Sequence, residues 1–124
     1  MIRKFRVWDK RHDELCEVLQ IHFELKFINC LNKWQRSLNF DDVELMQSTG
    51  LFDKNGVEIF EGDILKASSF ANWIGEVRYS VETQAYMFFD TWGEHKKRDV
   101  FLNQFDQLEV IGNIYENKEL LGDE

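Results

Sequence analysis

The chain has 124 residues, no proline, two cysteines and a formal net charge of −8. That length suits one domain or two small lobes, and it buries enough surface to fold without a disulfide or metal staple. An apolar content of 44 %, with 11 Phe and 4 Trp, excludes a mainly disordered chain.

The charge is uneven. Residues 1–12 carry five basic side chains and one acidic one, whereas 13–66 and 67–124 each carry five basic and eleven acidic. A nucleic-acid binder needs a basic face that displaces counterions from phosphates. Only the N-terminus and His95-Lys96-Lys97-Arg98 offer one, so the balance argues against nucleic acid and for a solvated acidic surface. Arg3, Lys4 and Arg6 are not followed by the apolar run of a secretion leader. No apolar stretch approaches the roughly 20 residues of a membrane span. Cys16 and Cys30 form no metal or redox spacing, and two free thiols fit a reducing cytoplasm. The expectation is a cytoplasmic protein with no membrane contact.

Alternation over residues 2–8 predicts a strand with Phe5 and Val7 inward. A polar turn follows at 9–13, then two strands over 15–23 and 25–31, rich in β-branched and aromatic residues. Leu31, Trp34 and Leu38 stand at helical spacing, which predicts a helical turn within 31–40. Residues 43–48 read as a strand. Asp53-Lys54-Asn55-Gly56 is a turn, because Asp starts it, Asn tolerates tight dihedrals and Gly56 can take positive φ. A short strand at 57–60 precedes a bend at Glu61-Gly62-Asp63, and 64–67 enters the next strand. Residues 75–79 and 86–89 form a hairpin pair, 91–99 a polar loop and 101–105 a one-turn bridge. A last strand over 108–115 leads into a helical turn at 117–121.

Several blocks resemble a known family. Lys4-Phe5-Arg6-Val7-Trp8-Asp9 resembles the opening of the YopX family of phage- and prophage-encoded proteins. Leu45-Met46-Gln47-Ser48-Thr49-Gly50-Leu51, Asp53-Lys54-Asn55-Gly56 and Glu58-Ile59-Phe60-Glu61-Gly62-Asp63-Ile64 resemble its central signature. Gly75-Glu76-Val77 and Val110-Ile111-Gly112-Asn113-Ile114-Tyr115-Glu116-Asn117 resemble its later blocks. Turn sequences recur, so one block is a weak signal, but six in order are specific. Lys118 stands where the family often has proline. The resemblance implies a mainly β fold: a β-rich part over 1–60 packed on an SH3-like small barrel over 61–124, with a short C-terminal helical turn. Short strands after Gly62, with a one-turn bridge before the last, agree with that barrel. The resemblance brings no catalytic or binding residues with it.

Chemistry is sparse in the residues themselves. Glu61 and Asp63 could pair as acid and base, but Gly62 between them favours a bend in which Asp63 binds backbone N–H groups. His22 and Glu24 share a face in an extended chain without a third metal ligand nearby. Cys16 and Cys30 lie in apolar patterns that suit buried small hydrophobes. Gly50, Gly56 and Gly62 recur every six residues without the Lys-Ser/Thr of a phosphate loop, so they are turn glycines. Asp53, Asn55, Gly56, Gly62 and Asp63 are therefore structural. No catalytic residue, metal or cofactor is expected. The aromatic crowd from Trp73 to Trp92 offers Trp73 and Trp92 as exposed interface anchors, with Lys96, Lys97 and Arg98 as basic neighbours. The expected function is non-enzymatic: a phage or prophage accessory protein that binds itself or a host or phage protein. The alternative is a nucleic-acid-binding barrel or an acidic DNA mimic.

Overall fold

The computed structural model describes residues 4–68, 72–90, 98–102 and 107–121. Its elements are almost all strands: β1 (Phe5–Asp9), β2 (Glu14–His22), β3 (Phe27–Asn32), β4 (Trp34–Asn39), β5 (Val43–Phe52), β6 (Glu58–Phe60), β7 (Asp63–Ala67), β8 (Trp73–Ser80), β9 (Ala85–Asp90), β10 (Arg98–Phe101) and β11 (Leu108–Asn113). Short 3-10 turns lie at Phe40–Asp42 and Lys118–Leu121. The chain divides into two units, Met1–Ser48 and Thr49–Glu124, where the sequence suggests a boundary at Phe60. The whole net charge belongs to the second unit: the first holds eight basic and eight acidic residues, the second seven and fifteen.

In the first unit an antiparallel sheet runs β4-β3-β2-β1-β5. Register places Val7 opposite Cys16, Val18 opposite Cys30 and Ile28 opposite Leu38. Those side chains share one face; Val7, Cys16, Ile28, Cys30 and Leu38 form the core with Val43, and Val18, Ile21 and Phe40 pack against it. Each such burial contributes roughly 2 kcal/mol. The helical turn expected within 31–40 is instead β4. Lys33 takes φ 67° at a tight turn, Asn32 faces Trp34 across it, and Trp34, Arg36 and Leu38 then alternate to the core side. Leu31, Trp34 and Leu38 fit a helical spacing by coincidence, and a charged residue at the middle inward position hid the strand period.

The second unit begins within β5, whose other neighbour is β6. The Thr49 hydroxyl donates to the Ile59 carbonyl. Asp53 and Gly56 close the intervening turn, with Gly56 at φ 82°. Gly62, at φ 85°, makes the bend that launches β7. A second antiparallel sheet runs β10-β9-β8-β7-β11. Ile59, Leu65, Ala67, Val77, Phe88, Leu102 and Leu108 form its core. β10 begins at Arg98, inside the stretch expected as a polar loop, and Phe101 ends that strand where a one-turn bridge was expected to begin.

Candidate functional site

The richest side-chain constellation lies at the open end of the first sheet, around β4. Arg36 points inward, and its side chain is 2 % exposed. A buried cation needs compensation, and three elements supply it. Nη1 donates to Asp9 Oδ2 at 3.0 Å and to Glu14 Oε1 at 2.8 Å, and Nη2 donates to the Asn32 carbonyl at 2.6 Å. Nε is buried without a partner. The guanidinium carbon lies 3.8 Å from the centre of the Trp34 ring.

Asp9 ends β1 and is fully buried. Its Oδ1 accepts the backbone N–H groups of Arg11 and His12, which folds residues 9–13 into a turn. Oδ2 accepts His12 Nδ1 at 2.7 Å beside Arg36. Burial alone would push this carboxyl upward, but bonds from Arg36, His12 and the two backbone groups outweigh it and hold Asp9 below the ordinary carboxylate value. A carboxylate only accepts, so His12 Nδ1 carries the proton. The imidazole meets the Trp34 ring edge-on, with centroids 5.3 Å apart.

Trp34 is thus an indole held on one face by a buried guanidinium and in perpendicular contact with an oriented imidazole, yet it is 49 % exposed. Such an arrangement offers a rigid, partly apolar surface at low ordering cost. At the far end of β4 stands a second apolar group. Phe23 and Leu25, on the β2–β3 turn, are 74 % and 75 % exposed, and Phe23 packs edge-on to Phe40. Neither Trp34 nor Phe23 stands out in the sequence, because what distinguishes them is support from distant strands.

The residues singled out from sequence fall elsewhere. Trp73, expected to be exposed, is half-buried against the second core. Its position at the start of β8, in register with Ala67, turns it onto that sheet despite its polar sequence neighbours. Trp92, Lys96 and Lys97 lie outside the described residues. Arg98 opens β10 opposite Asp90. Asp53 accepts from Asn55 and Val57 on Oδ1 and from Val110 on Oδ2. Asp63 is buried and accepts the Phe60 N–H at 2.8 Å, so it caps the bend. His22 stacks on Phe27 with 4.2 Å between centroids. Cys16 and Cys30 are buried and free, and both lie in the core of the first unit. Among the described residues, no group of three His, Cys, Asp or Glu is placed to hold a metal ion. Nor is any described helix long and apolar enough to cross a membrane.

Comparison with known proteins places this architecture. A model described as "YopX protein" matches residues 4–122. The chain belongs to the YopX family. No curated protein matches it. Among solved structures, this YopX-family chain is similar to the crystal structure of protein EF1440 from Enterococcus faecalis. The two are 30 % identical with a TM-score of 0.65, over 98 % of this chain and 99 % of that one.

Proposed function

We propose that this YopX-family chain is a non-enzymatic phage or prophage accessory protein that acts in the bacterial cytoplasm by binding protein, another copy of itself included. The observation that carries the reading is Trp34, half-exposed at a sheet edge and fixed by Arg36 and His12. Fixed exposed tryptophans are the residues that dominate interface energetics. The second unit reads as an SH3-like barrel. Its strand order β10-β9-β8-β7-β11, with Leu102 in a 3-10 turn before the last strand, supports that.

The test is affinity capture from host lysate with the wild-type chain and Trp34→Ala, alongside light scattering of both. A discrete partner or a larger assembly that disappears with Trp34→Ala is the expected result. A chain that stays monomeric at micromolar concentration and captures nothing overturns the reading, as does capture of the same proteins by both variants.

A second reading has one observation in its favour. The full −8 resides in Thr49–Glu124, as it would in an acidic mimic that occupies a DNA-binding protein. Against it, Asp53, Asp63 and Glu76 are buried. A mimic would compete with duplex DNA for a basic DNA-binding domain, and the absence of competition at low salt removes this reading.

A further inference from the structure

We propose that His12 is a phosphoryl-acceptor site, with Nε2 as the attacking nitrogen and Asp9 as the residue that positions it. This inference stands apart from the protein-binding reading. A histidine becomes a directed nucleophile when a fixed acceptor holds the proton on one ring nitrogen and leaves the lone pair on the other. Here the acceptor is Asp9 Oδ2, 2.7 Å from His12 Nδ1. Asp9 is fully buried, and its bond from Arg36 favours the carboxylate form. The lone pair of the neutral His12 ring therefore lies on Nε2. That atom has no hydrogen-bond partner among the described residues. The side chain is 42 % exposed, and perpendicular contact with Trp34 limits its rotation.

His22 is the contrast within the same chain. Its Nε2 lies 3.2 Å from Gln20 Oε1, an acceptor, so Nε2 carries the proton there. Its ring is stacked on Phe27, and among the described residues no carboxylate bonds its Nδ1. The charges around His12 suit an anionic group. Lys10 and Arg11, on the same turn, have side chains 44 % and 64 % exposed, in surface ion pairs weak enough for an incoming anion to displace. Asp9 and Glu14 are committed to Arg36. Within residues 9–14 that sets two cations against Asp13. With phosphoramidate as the donor, the Nε2 lone pair attacks phosphorus and the new N–P bond forms. The donor's P–N bond breaks, and its electron pair leaves with ammonia. The ring keeps its Nδ1 proton and becomes cationic, and the Asp9 carboxylate stabilises that charge through the same hydrogen bond.

The test treats the full chain with phosphoramidate at neutral pH. Electron-transfer fragmentation maps the modified histidine, and phosphorus NMR identifies the ring nitrogen. His12 is expected to be modified on Nε2 about tenfold faster than His22, the factor expected of one hydrogen bond to a charged group. In denaturing urea the two rates are expected to converge, because the fold sets the difference. Asp9→Asn keeps the shape without the charge, and it is expected to bring His12 down to the rate of His22 while circular dichroism shows the strands intact. A measurement on the untreated wild type needs no variant: long-range proton–nitrogen NMR is expected to show His12 protonated at Nδ1 and unprotonated at Nε2. The opposite tautomer overturns the proposal. So does a His12 no faster than His22, modification on Nδ1, or a preference for His12 that survives urea.

Discussion

The Asp53 carboxylate accepts the backbone N–H of Val110 at 2.9 Å, joining positions 57 apart in sequence. Its other oxygen holds the N–H groups of Asn55 and Val57, so one side chain closes a turn and fastens it to β11. The adjacent bond from the Lys54 N–H to the Leu108 carbonyl continues the seam. Asp53→Ala would leave three N–H groups without their acceptor, at about 1 kcal/mol or more each. The expected loss is about 3 kcal/mol, read as a lowered urea midpoint. Asp53→Asn keeps the shape and one acceptor oxygen and is expected to lose less. A midpoint unchanged by Asp53→Ala would show that the carboxylate does not hold the turn.

The same carboxylate makes stability depend on acid. Burial would raise the pKa of Asp53, but the N–H groups of Val110, Val57 and Asn55 outweigh burial and hold it below its ordinary 3.8. Asp9 is depressed in the same direction. In the unfolded chain these groups bind protons near pH 3.8, and in the folded chain only at lower pH. Their contribution is therefore fully present above about pH 4 and is lost as pH falls through the folded values. Urea midpoints between pH 5 and pH 3 are expected to fall less steeply for Asp53→Asn than for the wild type. Parallel curves would assign the acid loss to other groups.

Arg36 compensates two carboxylates from a position that solvent scarcely reaches. Arg36→Met removes the cation and leaves Asp9 buried with its charge, a change that costs about 3–5 kcal/mol. Arg36→Lys is expected to recover little, because a single ammonium cannot span Asp9, Glu14 and the Asn32 carbonyl as a planar fork does. Arg11, exposed and 3.8 Å from Asp42, is the contrast. Arg11→Ala is expected to shift the midpoint by less than about 0.5 kcal/mol.

The two thiols are expected to be inert while the chain is folded. Burial pushes the Cys30 thiol up to about 12, and the neighbouring Cys16 adds to that. At pH 7 its thiolate is then roughly one part in 100,000, and the thiolate is the reactive form. A disulfide reagent such as DTNB should label neither cysteine until denaturant is added. Rapid labelling of the native chain would mean that β2 and β3 open readily.

Much of this architecture is legible from neighbours in sequence. Alternation marks β1, β-branched and aromatic content marks β2 and β3, and the turns at Asp53–Gly56 and Gly62 follow from residue types that favour them locally. What the sequence hides is held by distant partners. β4 reads as helical because Arg36 occupies an inward position, and its partners Asp9 and Glu14 come from other strands. Trp34 looks like one aromatic among many until Arg36 and His12 are seen against its ring. Trp73 looks exposed beside polar residues, yet register with Ala67 turns it to the core. Asp53 is readable as a turn former, but its bond to Val110 requires knowing that β11 returns beside it.

Gly75 gives a packing test that the turn glycines do not. It sits in β8, where a Cβ would lie 2.8 Å from two ring carbons of Phe88 and 2.9 Å from the Phe89 carbonyl oxygen. Phe88 is fully buried in the second core, so its ring cannot swing away, and the backbone oxygen is fixed by the β8–β9 pairing. Gly75→Ala is therefore expected to cost about 1–3 kcal/mol by overpacking. Gly56→Ala meets nothing within 4 Å and pays only for its φ of +82°, about 1 kcal/mol. The two also differ in rescue. Phe88→Leu vacates ring volume and is expected to recover part of the Gly75→Ala loss while leaving the Gly56→Ala loss unchanged. Thermal unfolding of the two pairs of variants decides it: equal rescue of both glycine changes would rule out the steric account of Gly75.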